Sequence, residues 1–159
     1  MTNKFPITAN ICYIINNEKQ VLLQYKARGF GEGKWNGPGG KTDDNESDVD
    51  SVKREIFEET NLIIKDPELR ATLEYVYEDY QEWNMMVHVF TARKYHGEME
   101  GSDEGKLQWF NVSELPFGEM WDDDQYWLAR VLLGEKLRMR FFFNKETKKV
   151  IKFEYLGVL

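Results

Sequence analysis

A single cysteine, Cys12, stands in 159 residues, so no internal disulfide can form and the fold has to rest on a packed core. That usage fits a reducing compartment and suggests no redox chemistry. Long apolar runs are also lacking. The longest uninterrupted stretch near the start, Ile11 to Ile15, is far short of the roughly 20 residues a membrane span needs, and it carries no secretory cleavage pattern. A soluble, cytoplasmic protein is expected. Histidine is scarce too: His88, inside an apolar strand pattern, reads as structural, and neither it nor His96 is assigned any chemistry. An excess of basic residues is missing as well. The net charge is −7, and no nucleic-acid-binding surface is indicated.

What is present supports one domain over 1–159, since 42% hydrophobic and 14% aromatic content in a chain of this length is enough for a real core. The acidity is local. Residues 43 to 59 hold eight acids (Asp43, Asp44, Glu46, Asp48, Asp50, Glu55, Glu58, Glu59) against Lys53 and Arg54, a net of −6, while the remainder has 19 bases against 20 acids. This concentration needs its own explanation.

The chain begins as strand, turn, strand: "ITANICYII", then "NNEK", then "QVLLQYKA", which predicts a hairpin. "GFGEGKWNGPGGK" packs six glycines and a proline into thirteen residues, a loop whose backbone takes unusual angles or approaches something closely. The period then becomes helical over 47–60, with Val49, Val52 and Ile56 on one stripe and Ser47 with Asp50 as an acidic capping box. "ATLEYVYEDY" and "NMMVHVFTARKY" read as paired strands, "GKLQWFNV" as another, and "SELPF" as a short turn or helical piece. A second helix follows "MWDDDQYW" and closes on Gly134, with Asp122 expected to cap it. "RMRFFFNKETKKVIKFEYLGV" predicts a last hairpin. No repeat, low-complexity segment or domain boundary is visible.

At about 100° per residue from Glu55, Glu58 lies near −60° and Glu59 near +40°, beside the apolar stripe. Burying the stripe would fix the carboxylates in place. Alone, such a face can be solvated surface; the other reading is a hard-cation site, because oxygen ligands at helical spacing suit Mg²⁺ bound together with substrate phosphates. From Gly40 the pattern runs five residues to Glu46, then seven to Arg54-Glu55-Ile56-Phe57-Glu58-Glu59-Thr60-Asn61-Leu62. It resembles the Nudix box, G-x5-E-x7-R-E-U-x-E-E-x-G-U with U apolar, over all 23 positions. The one departure is Asn61, where the family has glycine; it falls where the helix ends and a left-handed residue is commonly required, which asparagine tolerates.

The resemblance implies an α/β/α sandwich of α/β (α+β) class, with a mixed β-sheet between the two helices. It implies cation-dependent hydrolysis of a nucleoside diphosphate linked to another group, with Mg²⁺ as cofactor and Mn²⁺ as the alternative. Carried over by position, Glu58 and Glu59 are the principal metal ligands with the Gly40 carbonyl, and Glu55 is a further ligand or the base. Arg54 is its orienter, and Glu104 completes the metal set. The general base stays shared between Glu55 and Glu59.

"RGFGEGKWNGPGGK", "MMVHVF", "WFNVSELPFGEMWDDDQYW" and the final hairpin extend the resemblance to the MutT-type branch, implying oxidised purine nucleoside triphosphates such as 8-oxo-dGTP as substrates. Trp121 is then the stacking wall, with Phe30 and Phe143 as apolar neighbours, Asn36, Asp123 and Asp124 as edge readers, and Lys26 near phosphate or sugar. Adjacent carboxylates in a half-apolar pocket raise each other's pKa, and a protonated one becomes a donor to an oxo group. Alternatives are a Nudix hydrolase for another substrate (normal dNTP, ADP-ribose, dinucleotide), a catalytically silent nucleotide-binding module, or an acidic interaction domain. A monomer or small homo-oligomer is expected, with no nucleic-acid polymer as partner.

Overall fold

The computed structural model describes residues 4–159, so the first three residues of the domain expected over 1–159 lie outside the described residues. In chain order the elements are β1 (Ile7–Ile14), β2 (Gln20–Lys26), β3 (Trp35–Asn36), β4 (Gly39–Lys41), α1 (Asp48–Thr60), β5 (Ile63–Lys65), β6 (Glu68–Val76), β7 (Met85–Ala92), β8 (Lys94–His96), β9 (Gly105–Asn111), α2 (Asp124–Leu132), β10 (Leu137–Phe143) and β11 (Val150–Gly157). A six-stranded sheet in the order β11-β10-β6-β7-β1-β4 is mixed: β1 with β7 and β6 with β10 are parallel, the other pairs antiparallel. Three strands, β3-β2-β9, form a second sheet, and β5 with β8 a third.

Alternation along β1 sends side chains to opposite faces. Cys12 and Ile14 pack with Val52 and Ile56 of α1, while Tyr13 packs with Trp127, Leu128 and Val131 of α2. The two helices therefore cover opposite faces of one mixed sheet, as the α/β/α expectation requires. No helix among the described residues is long and apolar enough to cross a membrane.

The first hairpin is a correction. β1 and β2 are joined by a tight turn, with Asn16 N–H donating to the Gln20 carbonyl, but only a single bridge, Ile15 to Val21, links them before they part. Both edges of β1 are already taken, by β7 over its whole length and by β4 at Ala9–Ile11, so β2 pairs with β3 and β9 instead. The glycine-rich stretch also contains β3 and β4, which are too short to show a period. The final hairpin and the pairing of β6 with β7 are as predicted.

α1 begins where its cap predicts: the Ser47 side chain accepts from Asp50 N–H at 3.1 Å. Its buried arc is rotated from the predicted stripe. Val49 is 39% exposed, whereas Ser51, Val52, Ile56, Glu59 and Thr60 are buried. At the other end Asn61 is left-handed (φ 64°, ψ 10°), donates its N–H to the Phe57 carbonyl, and sends its side-chain amide to the Glu98 carbonyl at 3.0 Å. Asparagine thus fills glycine's conformational role and adds a bond that glycine lacks. Asn61→Ala is expected to cost about 1 kcal/mol, a fall of roughly 2–4 °C in Tm, and Asn61→Gly less. A thermal melt of the three proteins checks the order; equal melting points would contradict it.

Candidate active site

One cavity of about 400 Å³ runs from α1 to the start of α2. That size suits a small organic ligand. At one end its walls are Gly40, Glu55 and Glu59, with Lys26 and Glu104 beside them; at the other they are Phe30, Asn36, Trp121, Asp123, Asp124 and Phe143. Of the residues expected from sequence, Arg54 and Glu58 are absent from the lining, and the half-exposed Glu58 side chain turns instead to Arg54 behind it.

The acidic end is organised by Arg54. Its guanidinium grips Glu46 with two N–H groups, Nε to Oε2 at 2.6 Å and Nη2 to Oε1 at 2.9 Å, and reaches Glu55 at 3.0 Å and Glu58 at 3.3 Å with Nη1. A planar five-donor fork can grip one carboxylate with two parallel N–H groups and still reach two others; a three-donor lysine ammonium cannot. Its hydrogen bonds hold the Glu46 carboxyl below its ordinary value. Glu55 goes the other way, because burial outweighs the help of Arg54. Glu59 is pushed up to about 7 by burial, an effect the Gly39 N–H donating to Oε2 at 2.9 Å partly offsets and the neighbouring Glu55 charge reinforces.

Gly40 has a steric reason to lack a side chain, since a Cβ there would stand 2.6 Å from the Glu55 carboxyl carbon. Glu55 therefore lies directly against the backbone of β4. Among the described residues no three acids, histidines or cysteines are already gathered into a closed cage. The available donors are all oxygen: carboxylates of Glu55, Glu58, Glu59 and Glu104, and the Gly40 carbonyl. This set fits a hard divalent cation, whose charge would offset the burial and the Glu55 repulsion that raise Glu59. Lys26 donates to Glu104 at 3.1 Å and, with Arg28 nearby, keeps its pKa low, so Glu104 enters the site already paired.

At the opposite end Trp121 stacks on Phe30, with centroids 5.0 Å apart and planes at 28°, and meets Phe143 edge-on. Asn36 accepts at Oδ1 from Tyr13 O–H and from Gly37 N–H, leaving its amide donors for a ligand. Asp123 and Asp124 are buried. Asp123 Oδ2 accepts from Tyr75 O–H at 2.8 Å and Trp127 Nε1–H at 2.7 Å, whereas Asp124 Oδ2 is buried with no hydrogen-bond partner. Burial raises both pKa values, and for Asp124 the Asp123 charge adds to it. Burial, then, is the larger cause, ahead of the mutual repulsion expected from sequence.

The cap assignment of Asp122 is also corrected. Its carboxylate accepts from Val150 N–H at 2.8 Å and from the Gln125 side chain, pinning β11 to the start of α2, while Asp123 is the N-cap residue. Sequence reading missed Tyr75, which positions Asp123, and Gln24, whose buried Nε2 has no partner and which lines the cavity. Their strand positions were legible, but only the packing of the sheet that holds β6 beside the sheet that holds β2 shows that they share one cavity.

An α/β/α sandwich with this carboxylate helix facing an aromatic cavity defines the class of Nudix hydrolases. The profile described as NUDIX domain matches residues 4–131, and the chain belongs to that family. It is 35% identical over 133 residues to the oxidized purine nucleoside triphosphate hydrolase of Mus musculus, covering 84% of this chain and 85% of that protein. The protein of the same name from Danio rerio is 38% identical over 132 residues, 83% of each chain. Among solved structures, a MutT protein from Bacillus halodurans superposes with a TM-score of 0.82 at 30% identity, over 94% of this chain and 97% of that one. Nudix hydrolases in general need divalent cations.

Proposed function

We propose that this enzyme hydrolyses oxidised purine nucleoside triphosphates, such as 8-oxo-dGTP, to the nucleoside monophosphate and pyrophosphate, a nucleotide-pool sanitation activity. The observation that carries the reading is one cavity joining a cluster of carboxylates on α1 to a slot with aromatic walls and two buried carboxyls. It agrees with the names of the mouse and zebrafish relatives.

In this reading the base inserts against Trp121 with Phe30 and Phe143 beside it, and its edge meets Asn36, Asp123 and Asp124. The triphosphate then points toward α1, with Lys26 near it. Glu55, Glu58, Glu59, Glu104 and the Gly40 carbonyl would hold the cation, Mg²⁺ with Mn²⁺ as the alternative, which when bound would neutralise phosphate charge and lower the pKa of water. Glu55 or Glu59 takes the proton of the attacking water as its oxygen bonds to phosphorus and the bridge between the α- and β-phosphates breaks. Arg54 fixes the carboxylates so that this geometry is preformed.

Arg54→Lys is expected to lower kcat roughly 10- to 100-fold and to raise the Mg²⁺ concentration for half-maximal activity, the usual scale for a lost ligand-orienting contact, with Tm nearly unchanged. A magnesium titration of pyrophosphate release reads both. The functional assignment is tested by a panel of normal and oxidised nucleoside triphosphates, nucleotide sugars, ADP-ribose and dinucleotides, with products identified. Pyrophosphate from purine triphosphates supports the reading. Turnover confined to ADP-ribose or dinucleotides would refute the substrate while leaving the Nudix chemistry intact.

A further inference from the structure

β11 ends the six-stranded sheet, so its outer edge pairs with no other strand among the described residues. An unpaired edge is a template for another strand, and proteins usually blunt it with charges or bulges. Here bulges interrupt the pairing with β10 near both ends, leaving a regular ladder only over Lys152–Tyr155. One face of this edge strand nevertheless presents apolar side chains. Ile151, Phe153 and Tyr155 are exposed, and Phe153 packs at 4.8 Å on Tyr126, itself an exposed ring of α2.

The sequence of the strand says what fits it. Antiparallel pairing of β11 with itself about Phe153 sets Lys152 opposite Glu154 of the second copy and Glu154 opposite its Lys152. Between these two pairs, inside the regular ladder, the two Phe153 residues face each other. Every pair is either of opposite charge or apolar on apolar. Moving the axis by one residue to Glu154 would put two glutamates face to face, so the composition selects one register. A two-fold axis requires such self-complementarity, and a strand built for an unrelated partner does not. Neither charged side chain is locked away: Glu154 reaches Arg140 at 3.2 Å and Lys152 lies over the Phe142 ring, both at the surface.

We infer that two copies of this chain associate through β11 edges, joining their six-stranded sheets into one of twelve strands. Because Asp122 ties Val150 to the start of α2, this edge is continuous with the element that carries Asp123 and Asp124.

Charge reversal tests it. By analytical ultracentrifugation the native chain, 18.9 kDa, should sediment at twice that mass at submillimolar concentration. Lys152→Glu sets glutamates against glutamates, and Glu154→Lys sets lysines against lysines; each should weaken self-association roughly tenfold or more. Mixed in equal amounts, the two variants restore opposite charges at both pairs and should return to the two-chain mass. Recovery on mixing excludes misfolding as the cause of dissociation. A one-chain mass for the native protein, or a dimer indifferent to both reversals, or variants that stay apart when mixed, would each overturn the inference.

Discussion

Glu59→Gln is expected to reduce pyrophosphate release by about three orders of magnitude, the scale lost with a positioned acid–base or ligand carboxylate, while leaving the fold intact. Two observations fix that expectation. The Glu59 side chain is buried at the wall of the cavity, on the arc of α1 that also carries Val52 and Ile56, so its position is set by the core. The Gly39 N–H that its Oε2 accepts at 2.9 Å can equally be accepted by a glutamine oxygen. The substitution therefore removes charge and basicity and little else. The sign of the stability change follows from the raised pKa. In the cation-free protein the protonated form is favoured, so the contribution of Glu59 to stability is full below about 4.3 and is lost as pH rises through about 7. At pH 8 without cation, Glu59→Gln should melt at or above the native temperature, and adding Mg²⁺ should raise the native Tm more than the variant's. A variant retaining a tenth of native turnover, with the same magnesium requirement, would remove Glu59 from the site.

The second large effect concerns the base. Asp123 and Asp124 are carboxyls whose pKa values burial raises, and Asp124 keeps one buried oxygen unpaired in the cavity. A protonated carboxyl donates and an ionised one only accepts. Rising pH should therefore shift kcat/KM from purines that present an oxo group at the reading edge toward those that present an amino group. Between pH 5 and 9 the ratio should move roughly 10- to 100-fold, the discrimination a buried hydrogen-bonding pair supplies. Asp124→Asn should flatten the profile, since an amide does not titrate. It should also stabilise the protein at alkaline pH and lose that advantage in acid, because the native carboxyl contributes fully only below its unfolded value near 3.9. A flat native profile, or an unchanged slope in Asp123→Asn and Asp124→Asn, would rule out carboxyl titration as the basis of base choice.

These two sites were legible to different degrees. The 23 residues from Gly40 to Leu62 carried the family assignment almost completely, because helical spacing is fixed by local geometry. Even so, the simple wheel separated an apolar face from a carboxylate face, whereas Glu59 lies inside the buried arc and Glu58 outside it. The aromatic end of the cavity was visible as residue types and not as a network. Nothing local ties Tyr75 to Asp123, 48 positions on, or Asp122 to Val150; parallel pairing of β6 with β10 and the turn of the last hairpin bring them together. The failed first hairpin has the same origin. Alternating residues and a turn specify two strands, but the competition for the edges of β1 is decided by β4 and β7, far along the chain.

The most direct measurement is the ratio of kcat/KM for 8-oxo-dGTP to that for dGTP, at one pH and saturating Mg²⁺, with pyrophosphate as the measured product. A slot built to hydrogen-bond an oxidised purine edge predicts a ratio of about ten or more. A ratio at or below one, or orthophosphate as the product of either nucleotide, would contradict it.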